Sequence, residues 1–168
     1  GGTAASVTKI HNSNEFSNSV VVVPSAAALS FGGAGTSSDD SPFSIQARIN
    51  ASTLTAATYH YIVAKADRLL GGNFCEYSLY VYDQKLVFKL HSASGNVNVE
   101  TVSDLSTAQW YDLVVTYEPP SGGLSGSSTA AEIHAALRIY LDGVEVATTG
   151  TTTGYNGSNA TGEDVGIG

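Results

Sequence analysis

The chain has 168 residues, of which 42% are hydrophobic and only 13% are charged, and its 7 basic residues stand against 15 acidic ones. This length suits one domain with a two-layer core. A net charge of −8 without a basic cluster argues against nucleic acid as a partner. Since no run approaches the roughly 18 apolar residues of a membrane span, we expect no membrane insertion. A lone Cys75 cannot form an internal disulfide.

Stretches with the period-two alternation of β-strands follow one another along the chain, separated by Gly, Asp, Asn and Ser. The predicted strands cover residues 20–23, 28–31, 43–49, 61–66, 77–82, 85–90, 97–102, 110–117, 137–141, 144–147 and 165–168. Asp142-Gly143 predicts a type I′ turn, and residues 121–131 predict a Gly/Ser/Thr loop. Because helical periodicity is nearly absent, the sequence predicts an all-β, antiparallel sandwich or barrel.

Four of these stretches occur in the order found in a known family. They are Ser30-Phe31 with DSPFSI at 40–45, QWYDLVVTY at 109–117, LRIYLDGV at 137–144 and VGIG at 165–168. Together they resemble the laminin G-like domains of the concanavalin A-like lectin/glucanase superfamily, especially variants in phage and marine viral structural proteins. Arg48 stands where the family often has Trp. The resemblance implies a two-sheet, jelly-roll-like sandwich and a location outside the cell or on a virion surface.

The same resemblance sets the expected domain organisation. Residues 1–19 are predicted to form an N-terminal extension and residues 20–168 the sandwich. Such domains usually continue past the last motif into one more strand. We therefore expect this sandwich to lack its last strand, unless the residues of that strand are disordered, are supplied by a partner chain or lie beyond the given sequence. The sequence also contains no Met, as expected of a processed chain or of part of a longer protein.

Carboxylate pairs that could hydrolyse a glycosidic bond are not evident. Glucanases of this superfamily carry E-x-D-x-x-E or E-x-D-x-E on a single strand, which points the carboxylates into one cleft. Here Glu100 and Asp104 have another spacing, and Asp142 and Glu145 span a turn. The four histidines are far apart in the sequence, without metal-ligand spacing. The sequence therefore predicts a protein that is not an enzyme.

Two acidic clusters precede predicted strands and suit calcium, which takes carboxylate and carbonyl oxygens from loops. The candidate ligands are Asp39, Asp40, Glu163 and Asp164. If both loops lie at the same end of the sandwich, they could share one ion. The alternative is that these residues are solvated loop charges.

Aromatic residues at strand ends and in loops suit carbohydrate binding, because a flat ring can stack on a sugar. The candidates are Tyr59, Tyr61, Tyr155 and Asn156, and the alternative is packing at the rim of the sandwich. We expect a non-catalytic binding or adhesion module for a glycan or cell surface. The alternative function is a decoration, fibre or filament subunit that binds copies of itself or other virion proteins.

Overall fold

A computed structural model describes residues 21–32, 40–66, 75–158 and 163–168. Within these ranges the chain forms strands β1 (Val21–Val23), β2 (Phe43–Asn50), β3 (Tyr59–Ala66), β4 (Cys75–Tyr82), β5 (Lys85–Ser92), β6 (Gly95–Thr101), β7 (Trp110–Tyr117), β8 (Leu137–Leu141), β9 (Val144–Glu145), β10 (Thr148–Thr153) and β11 (Val165–Ile167). A 3-10 helix (Ala27–Leu29) follows β1, and helix α1 (Ala130–Ala136) precedes β8. No helix in these ranges is long and apolar enough to cross a membrane.

The strands form two sheets. One has seven strands in the order β1-β11-β3-β4-β5-β6-β10, and the other has four in the order β2-β7-β8-β9. Every strand pairing within them is antiparallel. The predicted all-β, antiparallel two-sheet sandwich is therefore confirmed.

Alternation along the central strands places the core between the sheets. Leu79, Phe88 and Val99 of the large sheet are fully buried, as are Leu113 and Val115 of the small one. Burying one such side chain stabilises the fold by about 1.5–3 kcal/mol. The buried side chains of both sheets therefore account for the packing of one sheet on the other. The residues that alternate with these buried ones along each strand point outward, where they can form a surface.

One local prediction was wrong, and two elements were missed. Residues 28–31 were predicted as a strand, but Ala27–Leu29 form a 3-10 helix, in keeping with the low strand propensity of alanine. The predicted loop 121–131 runs into α1, which begins with a capping box between Thr129 and Glu132. Strand β10, with the sequence TTGTTT, was missed because it lacks apolar alternation.

Candidate functional site

The outer face of the seven-stranded sheet carries four tyrosines, which we call the tyrosine cluster: Tyr59 and Tyr61 of β3, and Tyr80 and Tyr82 of β4. Tyr59 lies opposite Tyr82, and Tyr61 opposite Tyr80, so each pair shares a face. Ring centroids are 4.5 Å apart for Tyr59–Tyr82, 5.3 Å for Tyr59–Tyr80 and 5.4 Å for Tyr61–Tyr80. Tyr59 and Tyr61 are 54% and 45% exposed, whereas Tyr80 is 8% exposed. Two accessible rings thus rest on a buried one.

A tight hairpin fixes the register of this cluster. Asp83 and Gln84 between β4 and β5 both have positive φ, 51° and 66°, as a type I′ turn requires. The turn places Tyr82 opposite Lys85 and Tyr80 opposite Val87. A one-residue slip would move the tyrosines to the core side, so the turn holds the aromatic surface in place.

Hydrogen-bonding side chains continue this face across β6 and β10. The Thr149 hydroxyl donates to Glu100 Oε1 at 3.3 Å, and the Thr151 hydroxyl donates to Asn98 Oδ1 at 2.8 Å. The pairings place one row of residues across five strands, namely Tyr61, Tyr80, Val87, Glu100 and Thr149. At about 4.8 Å per strand spacing, this row is about 19 Å long. The face therefore joins an aromatic end to a hydroxyl and amide end.

A second row lies beside the first and holds Ser78, Lys89, Asn98 and Thr151. Ser78 Oγ lies 3.3 Å from His91 Nε2. Burial, with a smaller effect of Lys89, lowers the pKa of His91 to about 4, so the imidazole is neutral at physiological pH. Burial also lowers the pKa of Lys89. Sequence analysis missed these residues, although their alternation with buried Phe88 and Leu90 assigns them to the outer face.

Tyr155 and Asn156 do not join the tyrosine cluster. Tyr155 is 1% exposed, and its hydroxyl donates to Asp40 Oδ2 at 2.7 Å. A buried ring is not accessible to a sugar, so the prediction for Tyr155 was wrong. Asn156 is exposed, but its backbone N–H donates to Ser92 Oγ at 3.4 Å. Ser92 ends β5, about 23 Å along that strand from Lys85 beside the cluster.

Asp40 is a buried residue whose carboxylate accepts hydrogen bonds from three groups of the domain. It is 7% exposed, and its Oδ2 accepts hydrogen bonds from the hydroxyls of Tyr117 at 2.9 Å and Tyr155 at 2.7 Å. Its Oδ1 accepts from the backbone N–H of Ser158 at 2.9 Å. Burial raises the pKa of Asp40, against the effect of these donors. With both oxygens engaged, Asp40 joins β7 to the loop after β10 and does not fit as a calcium ligand.

The other predicted calcium ligands lie before β11 or outside the described residues. Asp164 accepts a hydrogen bond at 2.8 Å from the backbone N–H of Ser25, Glu163 is half-buried, and Asp39 lies outside the described residues. Among the residues that the structure describes, no three His, Cys, Asp or Glu side chains form a group that could hold a metal ion. Calcium binding stays a prediction.

A buried ion pair lies at the start of β4. Lys65 Nζ is 2.9 Å from Glu76 Oε2, and the two side chains are 0% and 1% exposed. Glu76 Oε1 also accepts from the backbone N–H groups of Phe31 and Gly32, at 2.5 and 2.9 Å. Both carboxylates buried in this region, Asp40 and Glu76, therefore hold structure together.

An exposed aromatic ring also lies on the outer face of the four-stranded sheet. Trp110 is 58% exposed, and the guanidinium carbon of Arg48 lies 5.2 Å from its ring centroid. Arg48 Nε also lies 3.4 Å from a carboxylate oxygen of Asp112. This isolated ring provides a natural control for the tyrosine cluster.

Comparisons with known proteins identify the family of this chain. A search of the curated proteins finds no match. Among solved structures, the mouse laminin α1 chain, domains LG4-5, is similar with 14% identity and a TM-score of 0.49. That match covers 76% of this chain and 28% of the laminin chain. A laminin G family model, described as concanavalin A-like lectin/glucanases superfamily, matches residues 15–168. The chain therefore belongs to the concanavalin A-like lectin/glucanase superfamily, as a laminin G-like domain.

Proposed function

We propose that this domain is a non-catalytic carbohydrate-binding module and that the outer face of the seven-stranded sheet is its binding surface. The observation that carries the proposal is the tyrosine cluster, with two exposed rings, at one end of a face whose other end carries hydroxyl and amide groups. A sugar has the complementary chemistry, since its C–H faces are apolar and its rim carries hydroxyls.

Tyrosine suits such a surface for two physical reasons. Its ring provides a large contact area at low entropic cost, because only two torsion angles are fixed on binding. The rings of Tyr59 and Tyr61 are also held by Tyr80 and Tyr82 beneath and beside them, so little order has to be gained when a ligand binds. Asn98 and Thr151 then provide donors and acceptors that fix its orientation.

A binding role also fits the acidic residues better than glycoside hydrolysis does. Hydrolysis needs two carboxyl groups that face one sugar at a set separation. Asp40 and Glu76 are buried and engaged, and Glu100 is half-buried and bonded to Thr149. We also propose that the module lies outside the cell or on a virion surface, where its partner is a glycan or a cell surface.

Serine substitution of the exposed rings tests the proposal. Binding of a glycan panel is measured for the parent chain and for Tyr59→Ser and Tyr61→Ser, with Trp110→Ser as the matched control on the other sheet. Each cluster variant should weaken binding about tenfold, because a lost aromatic contact removes about 1.5 kcal/mol. Equal binding by all variants would exclude this face.

One observation favours a second function, that of a structural subunit. In the described residues, β2 is an edge strand that pairs with β7 alone. Its inward residues Ile45, Ala47 and Ile49 are half-buried, whereas Leu113 and Val115 of β7 are fully buried. A strand from a neighbouring chain would cover this row, as in a decoration, fibre or filament subunit. Light scattering tests this role by measuring the mass of the particle in solution. An assembly that dissociates in the Ile45→Lys variant supports the role, and a monomer near 17.3 kDa excludes it.

A further inference from the structure

The sequence contains three matches to the Asn-x-Ser/Thr acceptor pattern for N-linked glycosylation. They are Asn50-Ala51-Ser52, Asn156-Gly157-Ser158 and Asn159-Ala160-Thr161. Because short patterns arise by chance in a chain rich in Asn, Ser and Thr, the surroundings of each asparagine have to distinguish them. Asn159 lies outside the described residues, so the comparison is between Asn50 and Asn156.

The hydroxyl of the Asn156 match is engaged inside the domain. Ser158 is 4% exposed, its hydroxyl donates to the carbonyl oxygen of Glu76 at 3.3 Å, and its backbone N–H donates to Asp40 Oδ1 at 2.9 Å. Asn156 is exposed, but its own backbone N–H donates to Ser92 Oγ at 3.4 Å. In the folded domain this stretch is therefore held against buried residues.

The Asn50 match, by contrast, lies at the surface. Asn50 is the last residue of β2, and both Asn50 and Ser52 are exposed. Residues 51–58, which connect β2 to β3, contain no helix or strand, as is typical of the surface loops that carry N-linked glycans. Asn50 alternates with the half-buried Ile49 along the strand, so a bulky group on its side chain extends away from the core.

An exposed aromatic ring lies directly beside Asn50. Asn50 and Trp110 are opposite each other in the pairing of β2 with β7, which places their Cβ atoms about 4.5–5.5 Å apart on one face. Trp110 is 58% exposed, and its ring is large and mostly apolar. The first sugar of a glycan on Asn50 can therefore lay its C–H face on the indole.

The same position lies on the edge of the four-stranded sheet. In the described residues β2 pairs with β7 alone, and an edge strand tends to pair with other chains unless something covers it. A branched, hydrated glycan at the last residue of β2 would hinder the approach of a neighbouring strand. Glycosylation of Asn50 would thus protect this edge.

We propose that Asn50 is a site of N-linked glycosylation and that the first sugar of the glycan packs on Trp110. The donor is a lipid-linked oligosaccharide pyrophosphate. Asn50 Nδ2 attacks the anomeric carbon of the first sugar, the new C–N bond replaces the C–O bond to the pyrophosphate, and the lipid pyrophosphate leaves while the amide loses one proton. This inference rests on the proposed location outside the cell and not on the ligand of the tyrosine cluster.

Secretion of the full chain from a mammalian cell line, followed by mass spectrometry of its peptides, tests the modification. The parent should carry a glycan on the peptide that contains Asn50, with an intact mass above the 17.3 kDa of the chain. Asn50→Gln and Ser52→Ala should each abolish glycosylation at this position, because each removes a required group of the acceptor pattern. Asn156→Gln, the matched control, should keep it. A secreted, folded parent with an unmodified Asn50 would overturn the inference.

Thermal melting tests the contact with Trp110. The secreted parent should melt about 2–4 °C above secreted Asn50→Gln, if the sugar packs about as strongly as a second aromatic ring would. The same comparison in the Trp110→Ser background should show no gain. A gain of equal size in both backgrounds, or none in the parent, would refute the contact with Trp110.

The outcomes are distinct from those that test the proposed function. Trp110 and the tyrosine cluster lie on different sheets, so a failure at Asn50 leaves glycan binding by Tyr59 and Tyr61 standing. Trp110→Ser also remains a control for free glycans, because a covalently attached sugar is held beside the ring at an effective concentration that a dilute free glycan does not reach.

Discussion

Removing one hydroxyl inside the domain should reveal how Asp40 is held. Tyr155→Phe deletes the donor that lies 2.7 Å from Asp40 Oδ2, in a ring that is 1% exposed. A hydrogen bond to a charged group contributes about 1.5–3 kcal/mol. Because Tyr117 and Ser158 still donate to the carboxylate, we expect the free energy of unfolding to fall by about 2 kcal/mol at about pH 7.

The loss should depend on pH, and its sign follows from the charge of Asp40. Burial raises the folded-state pKa of Asp40 above its ordinary value, so its ionisation lowers stability as pH rises through the unfolded and then the folded pKa. Removing the Tyr155 donor raises the folded pKa further, which extends this loss to higher pH. At about pH 3, below the ordinary Asp pKa of about 3.9, the carboxyl is neutral in both states. There the variant should lose only about 1 kcal/mol, the value of a neutral hydrogen bond.

Urea unfolding followed by far-UV circular dichroism measures both values. Tyr59→Phe is the matched control, since that ring is 54% exposed, and it should change the free energy of unfolding by less than about 0.5 kcal/mol. If Tyr155→Phe lowers the free energy of unfolding by the same amount at both pH values, the inference that Asp40 is ionised at about pH 7 is refuted. A loss as small as that of the control would refute the buried hydrogen bond itself.

Three further predictions concern other parts of the fold. Gly95→Ala should destabilise the domain by about 3 kcal/mol in urea unfolding, because its Cβ would lie 1.6 Å from the carbonyl oxygen of Thr153. In Gly122→Ala the added carbon meets no atom and only the positive φ of 88° opposes alanine, so a loss in Gly95→Ala below that of Gly122→Ala would contradict this prediction. Cys75 should react slowly with iodoacetamide at neutral pH and rapidly in urea, because burial raises its pKa to about 12; equal rates would contradict it. If the acidic loops bind calcium, a chelator should lower the thermal midpoint, and an unchanged midpoint would exclude the ion.

Much of the fold was predictable because it follows from local alternation. The strand at Trp110–Tyr117 and the strand at Leu137–Leu141 have the predicted bounds, and the turn at Asp142-Gly143 has positive φ at both residues. Each depends on neighbouring residues alone, since side chains two apart share a face and a type I′ turn needs two residues that tolerate positive φ. Strand β10 depends instead on its partner β6, which no local pattern reveals.

The residues of the candidate site divide in the same way, into those that the local sequence identified and those that only the tertiary structure placed. Sequence alone placed Tyr59 and Tyr61 at a strand end, as candidates either for sugar contact or for packing at the rim, and the structure shows that their rings are 54% and 45% exposed. Only the tertiary structure decided that Tyr155 is buried against Asp40, a contact between residues 115 positions apart. Strand order likewise decided that Lys89 of β5 lies between Ser78 of β4 and Asn98 of β6. Local alternation determines which face a side chain takes, whereas its neighbours on that face are set by strand order, which is a property of the whole chain.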